Sequence, residues 1–225
     1  ILNCLGCRCK REMGSVSVNA SAITNTDVPS ALMREMRSSI VFLGAILGRM
    51  GHCRLSFPGG CELGPRPIDF HLEALRKMGV AIIEEHGYLD CTVPKGIHGA
   101  DISLAMPSVG ATENIMLAAV LAKGVTEIHN AAREPEIVDL ADFLVKCGAK
   151  IKGAGESTVY IEGVERLDGC EHRIIPDRIA AATYLCCGAI TRGELMLTKA
   201  DYRQVGMVIS VLERAGCSVY SFSKD

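Results

Sequence analysis

Several features that would assign this chain to a particular class of protein are missing from its sequence. No apolar run approaches the length of about 18 residues that a membrane-spanning helix needs, because Arg, Lys, Glu or Gly interrupts every candidate. No signal-peptide pattern is present. The net charge of −2 provides no general attraction to nucleic acid or to an anionic membrane. We therefore expect a cytoplasmic protein whose partners are neither nucleic acid nor membrane.

The chain also lacks the residue clusters of a structural metal site. Cys4-Leu-Gly-Cys7 is a single Cys-x-x-Cys pair, and no second pair or histidine stands at a matching spacing. Core packing is the favoured interpretation, and we expect neither metal nor cofactor. The eleven cysteines are scattered through apolar positions, which is typical of buried free thiols in a reducing cytosol. The clearest examples are Cys147, Cys186, Cys187 and Cys217.

What the chain does contain is a repeat. Its composition, 48% hydrophobic and 22% charged, is that of a core-forming protein, and 225 residues can hold one large or two ordinary domains. Three stretches end alike, and the opening stretch of residues 1–9 resembles a fourth; they are Leu75–Ile82, Leu144–Ile151 and Leu212–Val219. Their glycines, Gly6, Gly79, Gly148 and Gly216, are spaced by 73, 69 and 68 residues. A period of about 70 residues exceeds that of a solenoid, so each repeat should be a small α/β subdomain.

Each repeat has the same predicted order of helix, strand, strand, helix, strand. Residues 136–147 place Ile137, Leu140, Phe143 and Leu144 on one helical face, and a glycine ends the helix. Residues 158–163 alternate as a half-buried strand, and residues 111–122 form an Ala-rich helix before a strand at 125–128. A second glycine series, Gly51, Gly124 and Gly193, precedes strands at the same period. Helices this apolar are buried on most sides, which favours a shared helical core with sheets outside over a doubly wound sheet.

The densest chemical signal is an irregular segment from Phe57 to His71. Three Gly and three Pro surround Cys61 and Arg66, so the segment should be a long loop, and such loops are usually functional. A thiol near a guanidinium on an exposed loop has the surroundings that lower its pKa and make it reactive. The alternative is a plain surface turn with an idle cysteine.

These residues resemble a known family. The run Pro58-Gly-Gly-Cys61, with the stretch from Gly64 to His71 that follows, resembles the catalytic loop of the UDP-N-acetylglucosamine 1-carboxyvinyltransferases (MurA), which are enolpyruvyl transferases. Four further segments resemble family segments in order and spacing: 36–40, 107–112, 130–139 and 176–179. The resemblance covers essentially the whole chain, which would correspond to roughly the middle half of a full-length member.

The resemblance implies a fold and a domain division. The family fold is an inside-out α/β barrel, with two domains that each contain three similar units, and it agrees with the repeat of about 70 residues. Residues 1–175 would belong to the first domain, without its first strands, and residues 176–225 would start the second domain.

The resemblance also implies a reaction and a set of site residues. The enolpyruvyl group of phosphoenolpyruvate would pass to the 3-hydroxyl of UDP-N-acetylglucosamine with release of phosphate, the first committed step of peptidoglycan synthesis. Cys61 would be the proton donor, and the catalytic arginines Arg37 and Arg66 would bind the substrates' anionic groups. The uridine end would contact Pro67, Ile68, Asp69 and Phe70, and the diphosphate would contact Ser108, Val109 and Gly110.

Simpler readings of some of these residues remain open. Arg37 lies in a helical stretch where a solvated side chain is ordinary. Ser108 opens the Ala-rich helix, so it can be a helix cap as well as part of a phosphate cradle. His71 follows the loop and is placed to approach the nucleotide.

The chain also departs from the family. Met106 stands where some relatives have a lysine near the diphosphate, and Ile179 is followed by alanines where some relatives have an acidic residue. The family's Lys-Asn pair, its general-base Asp and further arginines lie outside residues 1–225, so we expect the polypeptide as written not to turn over.

Three other functions compete with this interpretation. One is a sister transferase acting on shikimate 3-phosphate, which lacks the Cys-bearing loop. Another is a non-catalytic paralogue that binds a UDP-sugar. The third is the related RNA-end cyclase class, which would need a basic face that a net charge of −2 does not indicate.

Overall fold

The computed structural model describes residues 1–59 and 68–222, which form two compact units. Unit 1 runs from Ile1 to His172 and unit 2 from Arg173 onward. The domain boundary expected at residues 175 and 176 stays a prediction. No helix of the described residues is long and apolar enough to cross a membrane.

Unit 1 contains a hairpin and two four-stranded sheets. The hairpin pairs β1 (Arg8–Glu12) with β2 (Ser15–Asn19). The first sheet has the order β3-β4-β6-β5, with strands Asp27–Val28, His52–Ser56, Tyr88–Thr92 and Ala81–Glu85 respectively. The second has the order β7-β8-β10-β9, with strands Asp101–Ser103, Val125–His129, Thr158–Glu162 and Lys150–Lys152 respectively.

The two sheets share one topology. In each, the first two strands along the chain are parallel, the fourth joins antiparallel to the second, and the third joins antiparallel to the fourth. The strand pattern therefore confirms the repeat that the glycine spacing predicts. The signature glycines Gly6, Gly79, Gly148 and Gly216 have φ values of 92°, 91°, 100° and 95°, a left-handed conformation in which a side chain would be strained.

The helices of unit 1 alternate with these strands along the chain. They are α1 (Ser30–Arg34), a 3-10 segment (Arg37–Val41), α2 (Phe42–Met50), α3 (Asp69–Lys77), α4 (Val109–Ala119) and α5 (Pro135–Lys146). Helix α4 packs against α2, α3 and α5, and most of its residues are buried. Strand β5, in contrast, is largely exposed. The predicted helical core is confirmed, and so is the predicted strand from residue 158, whose Val159 and Ile161 are fully buried.

One helical face was predicted incorrectly in part. Ile137 and Leu144 of α5 are buried as expected, but the ring of Phe143 is 39% exposed and Ala141 occupies the buried face instead. Phe143 packs its ring edge-on against His172, with the ring centroids 5.6 Å apart. A residue at the border of a helical face can satisfy the same spacing while it meets a surface segment rather than the core.

Unit 2 contains α6 (Arg178–Thr191), a 3-10 turn (Tyr202–Val205) and α7 (Gly206–Arg214). Its buried apolar residues are Ala181, Val205 and Ile209. The strands expected at 194–197 and 217–219 are absent from the described part of unit 2, where neither segment has a strand partner. The expectation that Cys186 and Cys187 are buried is wrong, since both are exposed on α6, and Cys217 is partly buried.

Candidate functional site at the start of helices α3 and α4

The structure brings together three of the predicted segments. Arg37 begins the 3-10 segment, Asp69 and Phe70 begin α3, and Ser108 precedes α4. Cys61, Arg66 and Pro67 lie outside the described residues, so their roles stay predictions.

The centre of this region is a buried hydrogen-bond network around His71 and Asn114. The Asn114 side chain accepts a hydrogen bond from the Gly44 amide, with N and Oδ1 2.6 Å apart. Its Nδ2 donates to the Ile40 carbonyl at 3.2 Å and lies 3.0 Å from His71 Nδ1. Asn114 is fully buried and His71 is 6% exposed. Helices α2, α3 and α4 are thus connected through one amide side chain.

This network determines the tautomer of His71. An amide N–H can only donate and a carbonyl can only accept, so Gly44 and Ile40 fix which end of Asn114 is oxygen and which is nitrogen. The Asn114 nitrogen must then donate to His71 Nδ1, which has to be unprotonated. In the neutral imidazole the proton therefore resides on Nε2.

The electrostatics of the site keep His71 neutral. Burial, together with the positive charge of Arg37, lowers the pKa of His71 from 6.5 to about 4. At neutral pH the ring is consequently an uncharged hydrogen-bond donor through Nε2.

The free edge of the His71 ring lies at the start of α4. A Cβ built on Gly110 would lie 3.3 Å from His71 Cε1 and 3.6 Å from Nε2, so glycine leaves room for the imidazole. The side chain of Ser108 accepts a hydrogen bond from the Ala111 amide at 3.4 Å, which confirms its role as a helix cap. The amides of Val109 and Gly110 belong to the first helical turn, which has no intrahelical acceptors. An N-terminus with these amides and a neutral N–H beside them suits an anionic ligand.

Of the four residues expected at the uridine end, the three that the structure describes occupy different environments. Ile68 is buried in the core before α3, Asp69 is exposed in the first turn, and Phe70 is partly buried against the core. Only Asp69 presents an exposed polar group, so contacts with uridine stay a prediction for all three.

The segment 130–139 has a structural role in this region. The Asn130 side chain donates to the Leu104 carbonyl at 2.9 Å, and the Ala132 amide donates to the buried Thr112 hydroxyl at 3.1 Å. The chain between β8 and α5 is thus held against Leu104, which follows β7, and against Thr112 of α4. In the described ranges, no group of three or more His, Cys, Asp or Glu residues could hold a metal ion.

Asn114 is the site residue that sequence reasoning missed. Its signal was a single amide directly before the apolar and Ala-rich run from Ile115 to Ala122. A buried side-chain amide needs hydrogen-bond partners, so such a residue indicates a polar network within a helical core.

Comparisons with known proteins show the family to which the chain is similar. Residues 1–224 match the family model described as EPSP synthase (3-phosphoshikimate 1-carboxyvinyltransferase). The chain is 50% identical over 221 residues to UDP-N-acetylglucosamine 1-carboxyvinyltransferase 2 of Caldanaerobacter subterraneus subsp. tengcongensis, covering 97% of this chain and 52% of that protein. It is 49% identical over 207 residues to the UDP-N-acetylglucosamine 1-carboxyvinyltransferase of Granulibacter bethesdensis, covering 92% of this chain and 49% of that protein.

Solved structures show the same fold at lower identity. The enolpyruvyl transferase NikO from Streptomyces tendae superposes with a TM-score of 0.79 and 22% identity, covering 99% of this chain and 54% of that one. EPSP synthase from Acinetobacter baumannii gives a TM-score of 0.69 and 21% identity, covering 95% and 49%. The chain spans about half the length of the curated relatives it matches.

Proposed function

This chain belongs to the EPSP synthase family of enolpyruvyl transferases, and from that premise we propose the reaction of the complete protein. It transfers the enolpyruvyl group of phosphoenolpyruvate to the 3-hydroxyl of UDP-N-acetylglucosamine and releases phosphate. The observation that carries this proposal is the identity of 44% to 50% with relatives that bear this activity in their names. The reaction serves peptidoglycan synthesis in the cytoplasm.

The chemistry assigns distinct tasks to the site residues. A proton must reach the methylene carbon of phosphoenolpyruvate, and the sugar hydroxyl attacks the cationic carbon that results and gives up its own proton. Phosphate then leaves while the new methyl group loses a proton, which re-forms the carbon–carbon double bond. Cys61 is the proposed donor of that proton, since a thiol with a pKa near the working pH can share one. Arg37 and Arg66 bind the anionic groups through charge-assisted hydrogen bonds.

The start of α4 is the proposed binding site for the diphosphate of the sugar nucleotide. The first-turn amides of Val109 and Gly110 and the Nε2–H of His71 are three donors beside one helix N-terminus. Because Met106 stands where some relatives have a lysine, these neutral donors carry more of the binding here.

The main alternative acceptor is shikimate 3-phosphate, in accordance with the description of the family model. The identity of 21% to 22% with NikO and the EPSP synthase structures supports only the shared fold. A non-catalytic paralogue that binds a UDP-sugar is the second alternative.

The test is phosphate release by the full-length protein with phosphoenolpyruvate and either acceptor. We expect release with UDP-N-acetylglucosamine and none above background with shikimate 3-phosphate. The reverse preference would overturn the proposal. Binding of UDP-N-acetylglucosamine by calorimetry without any phosphate release would identify a non-catalytic protein instead.

Two variants of Cys61 test its role in that assay. Cys61→Asp keeps an ionisable group and should retain turnover, whereas Cys61→Ser should be nearly inactive because a hydroxyl shares its proton poorly. If Cys61→Ser turned over as fast as the unmodified protein, Cys61 would not be the proton donor.

A further inference from the structure

A segment at the end of unit 1, residues 168–172, lies along helix α5, and we call it the strap. The Asp168 amide donates to the carbonyl of Cys147, at the C-terminal end of α5, over 2.8 Å. At the other end of the strap, the His172 Nε2 is 3.0 Å from Asp139 Oδ1, and the His172 ring packs against Phe143. Residues 139, 143 and 147 are four apart and share one helical face, so alternate strap residues meet successive turns of α5.

The middle of this contact contains two free thiols. Cys147 Sγ and Cys170 Sγ are 3.4 Å apart, and Cys170 Sγ also lies 3.9 Å from the Phe143 carbonyl. A disulfide needs a sulfur separation of about 2.05 Å, so the two sulfurs must approach by only a little more than about 1 Å. The backbone hydrogen bond two residues before Cys170 already holds the two chain segments together.

The two thiols differ in access. Cys170 is exposed to solvent, whereas Cys147 is 7% exposed. Burial raises the pKa of Cys147, and its hydrogen bond to Cys170 acts in the same direction. An external reagent can therefore reach Cys170 first, while Cys147 is positioned to react only with Cys170.

We propose that Cys147 and Cys170 form a reversible dithiol, a disulfide-forming site whose oxidant is a small disulfide such as oxidised glutathione. The Cys170 thiolate attacks one sulfur of the oxidant, forms a mixed disulfide and expels one thiolate. Cys147 then loses its proton and attacks the Cys170 sulfur, which forms the Cys147–Cys170 bond and expels the second thiolate. The cysteine pair gives up two electrons and two protons, and the oxidant becomes two thiols.

The disulfide fastens the strap covalently to the end of α5. The ring that it closes runs from Cys147 to Cys170 and contains β9 and β10. Unit 2 begins at Arg173, immediately after the strap, so the bond ties the last segment of unit 1 to its own helix.

The experiment is peptide mapping of the folded full-length protein after oxidation by oxidised glutathione. Remaining thiols are blocked with N-ethylmaleimide in denaturant, and the protein is digested with trypsin without a reductant. Trypsin releases Cys147–Lys150 and Leu167–Arg173, each of which contains one cysteine. We expect these peptides as one linked species in most molecules, and as separate peptides after treatment with dithiothreitol.

Three variants make the result specific. In Cys147→Ser, glutathione should remain attached to Cys170. In Cys170→Ser, Cys147 should be recovered only as its N-ethylmaleimide adduct. Cys187→Ser changes an exposed cysteine elsewhere and should leave the linked species unchanged. Recovery of Cys147 as its N-ethylmaleimide adduct in the oxidised unsubstituted protein would overturn the proposal. So would a bond from Cys170 to any other cysteine. The readout is a peptide mass, so it is independent of the proposed enzyme activity.

Discussion

Helices α4 and α6 occupy corresponding places in successive repeats, yet their environments differ sharply. Each is Ala-rich, and each begins after a side-chain cap, Ser108 for α4 and Asp177 for α6. Most residues of α4 are buried between α2, α3 and α5, whereas α6 buries only Ala181. Composition and capping therefore specify a helix, while the elements around it decide which of its faces are buried.

Helices α2 and α4 approach each other closely at Gly44. A Cβ on Gly44 would lie 2.2 Å from the Asn114 carbonyl oxygen and 2.4 Å from its Oδ1, whereas Gly206, which begins α7, has open space around the corresponding atom. We expect Gly44→Ala to destabilise the protein by about 3 kcal/mol or more, because backbone atoms cannot move aside. Gly206→Ala should stabilise it by about 0.5 kcal/mol, since Gly206 has the helical φ of −54°.

The measurement for this pair is the urea midpoint of each variant of the 225-residue chain. Similar midpoints for Gly44→Ala and the unsubstituted protein would show that α2 and α4 are not in close contact. Such a result would also contradict the hydrogen bond from the Gly44 amide to Asn114, on which the buried network depends.

The second largest effect should come from the amide itself. Asn114→Ala leaves the Gly44 amide, the Ile40 carbonyl and His71 Nδ1 without this partner, and each unsatisfied buried group costs about 1 kcal/mol or more. We expect a loss of about 3 kcal/mol. Cys187→Ala on exposed α6 is the matched control and should change stability by less than about 0.5 kcal/mol. Equal urea midpoints for Asn114→Ala and Cys187→Ala would contradict the difference in burial between α4 and α6.

Stability should also depend on pH through His71. Its pKa falls from an ordinary value of 6.5 to about 4 in the folded protein, so the unfolded chain binds the proton more tightly. The associated stability is fully present above about pH 6.5 and is lost as the pH falls toward 4, with about 2 kcal/mol gone at pH 5.

His71→Gln isolates this contribution, because other acidic groups titrate equally in both proteins. Between pH 8 and pH 5 the unsubstituted protein should lose about 2 kcal/mol more stability than the variant, as measured by urea unfolding. Parallel losses would mean that His71 is not held neutral by burial.

The smallest effects should come from the two helix caps. The loss of unfolding free energy should be larger for the cap of the exposed helix α6 than for the cap of the buried helix α4. Asp177 Oδ1 accepts hydrogen bonds from two amides at 2.9 Å and 3.0 Å, whereas Ser108 accepts one at 3.4 Å. Asp177→Ala should cost about 1 kcal/mol and Ser108→Ala about 0.5 kcal/mol in the unfolding free energy. Calorimetry with UDP-N-acetylglucosamine is the second readout, in which only Ser108→Ala should weaken binding. If both variants weakened binding to the same extent, the start of α4 would have no specific role in binding UDP-N-acetylglucosamine.

Much of unit 1 was predictable because its signals are local. The glycines at 6, 79 and 148 take a left-handed conformation, which follows the end of α3 at Gly79 and of α5 at Gly148, and the alternation from residue 158 gives β10. These features depend on backbone geometry and side-chain periodicity within a few residues.

What could not be predicted depends on contacts between distant segments. The partners of Asn114 lie 43, 70 and 74 residues away, and no periodicity reveals them. The same holds for Phe143, whose contact with His172 replaces burial in the core. In unit 2 the helix-ending Gly216 was predicted correctly, but a strand also needs a hydrogen-bonded neighbour, which the sequence of one segment does not specify.

Asn114 holds His71 as a neutral Nε2–H donor at the start of α4, where we propose that the diphosphate binds. The most direct test is a nitrogen-proton correlation spectrum of the full-length protein with labelled histidine at pH 7. We predict that His71 is in the Nε2–H tautomer and that its Nε2–H resonance shifts when UDP-N-acetylglucosamine is added. A charged ring, the Nδ1–H tautomer, or an unchanged resonance at saturating ligand would contradict the account.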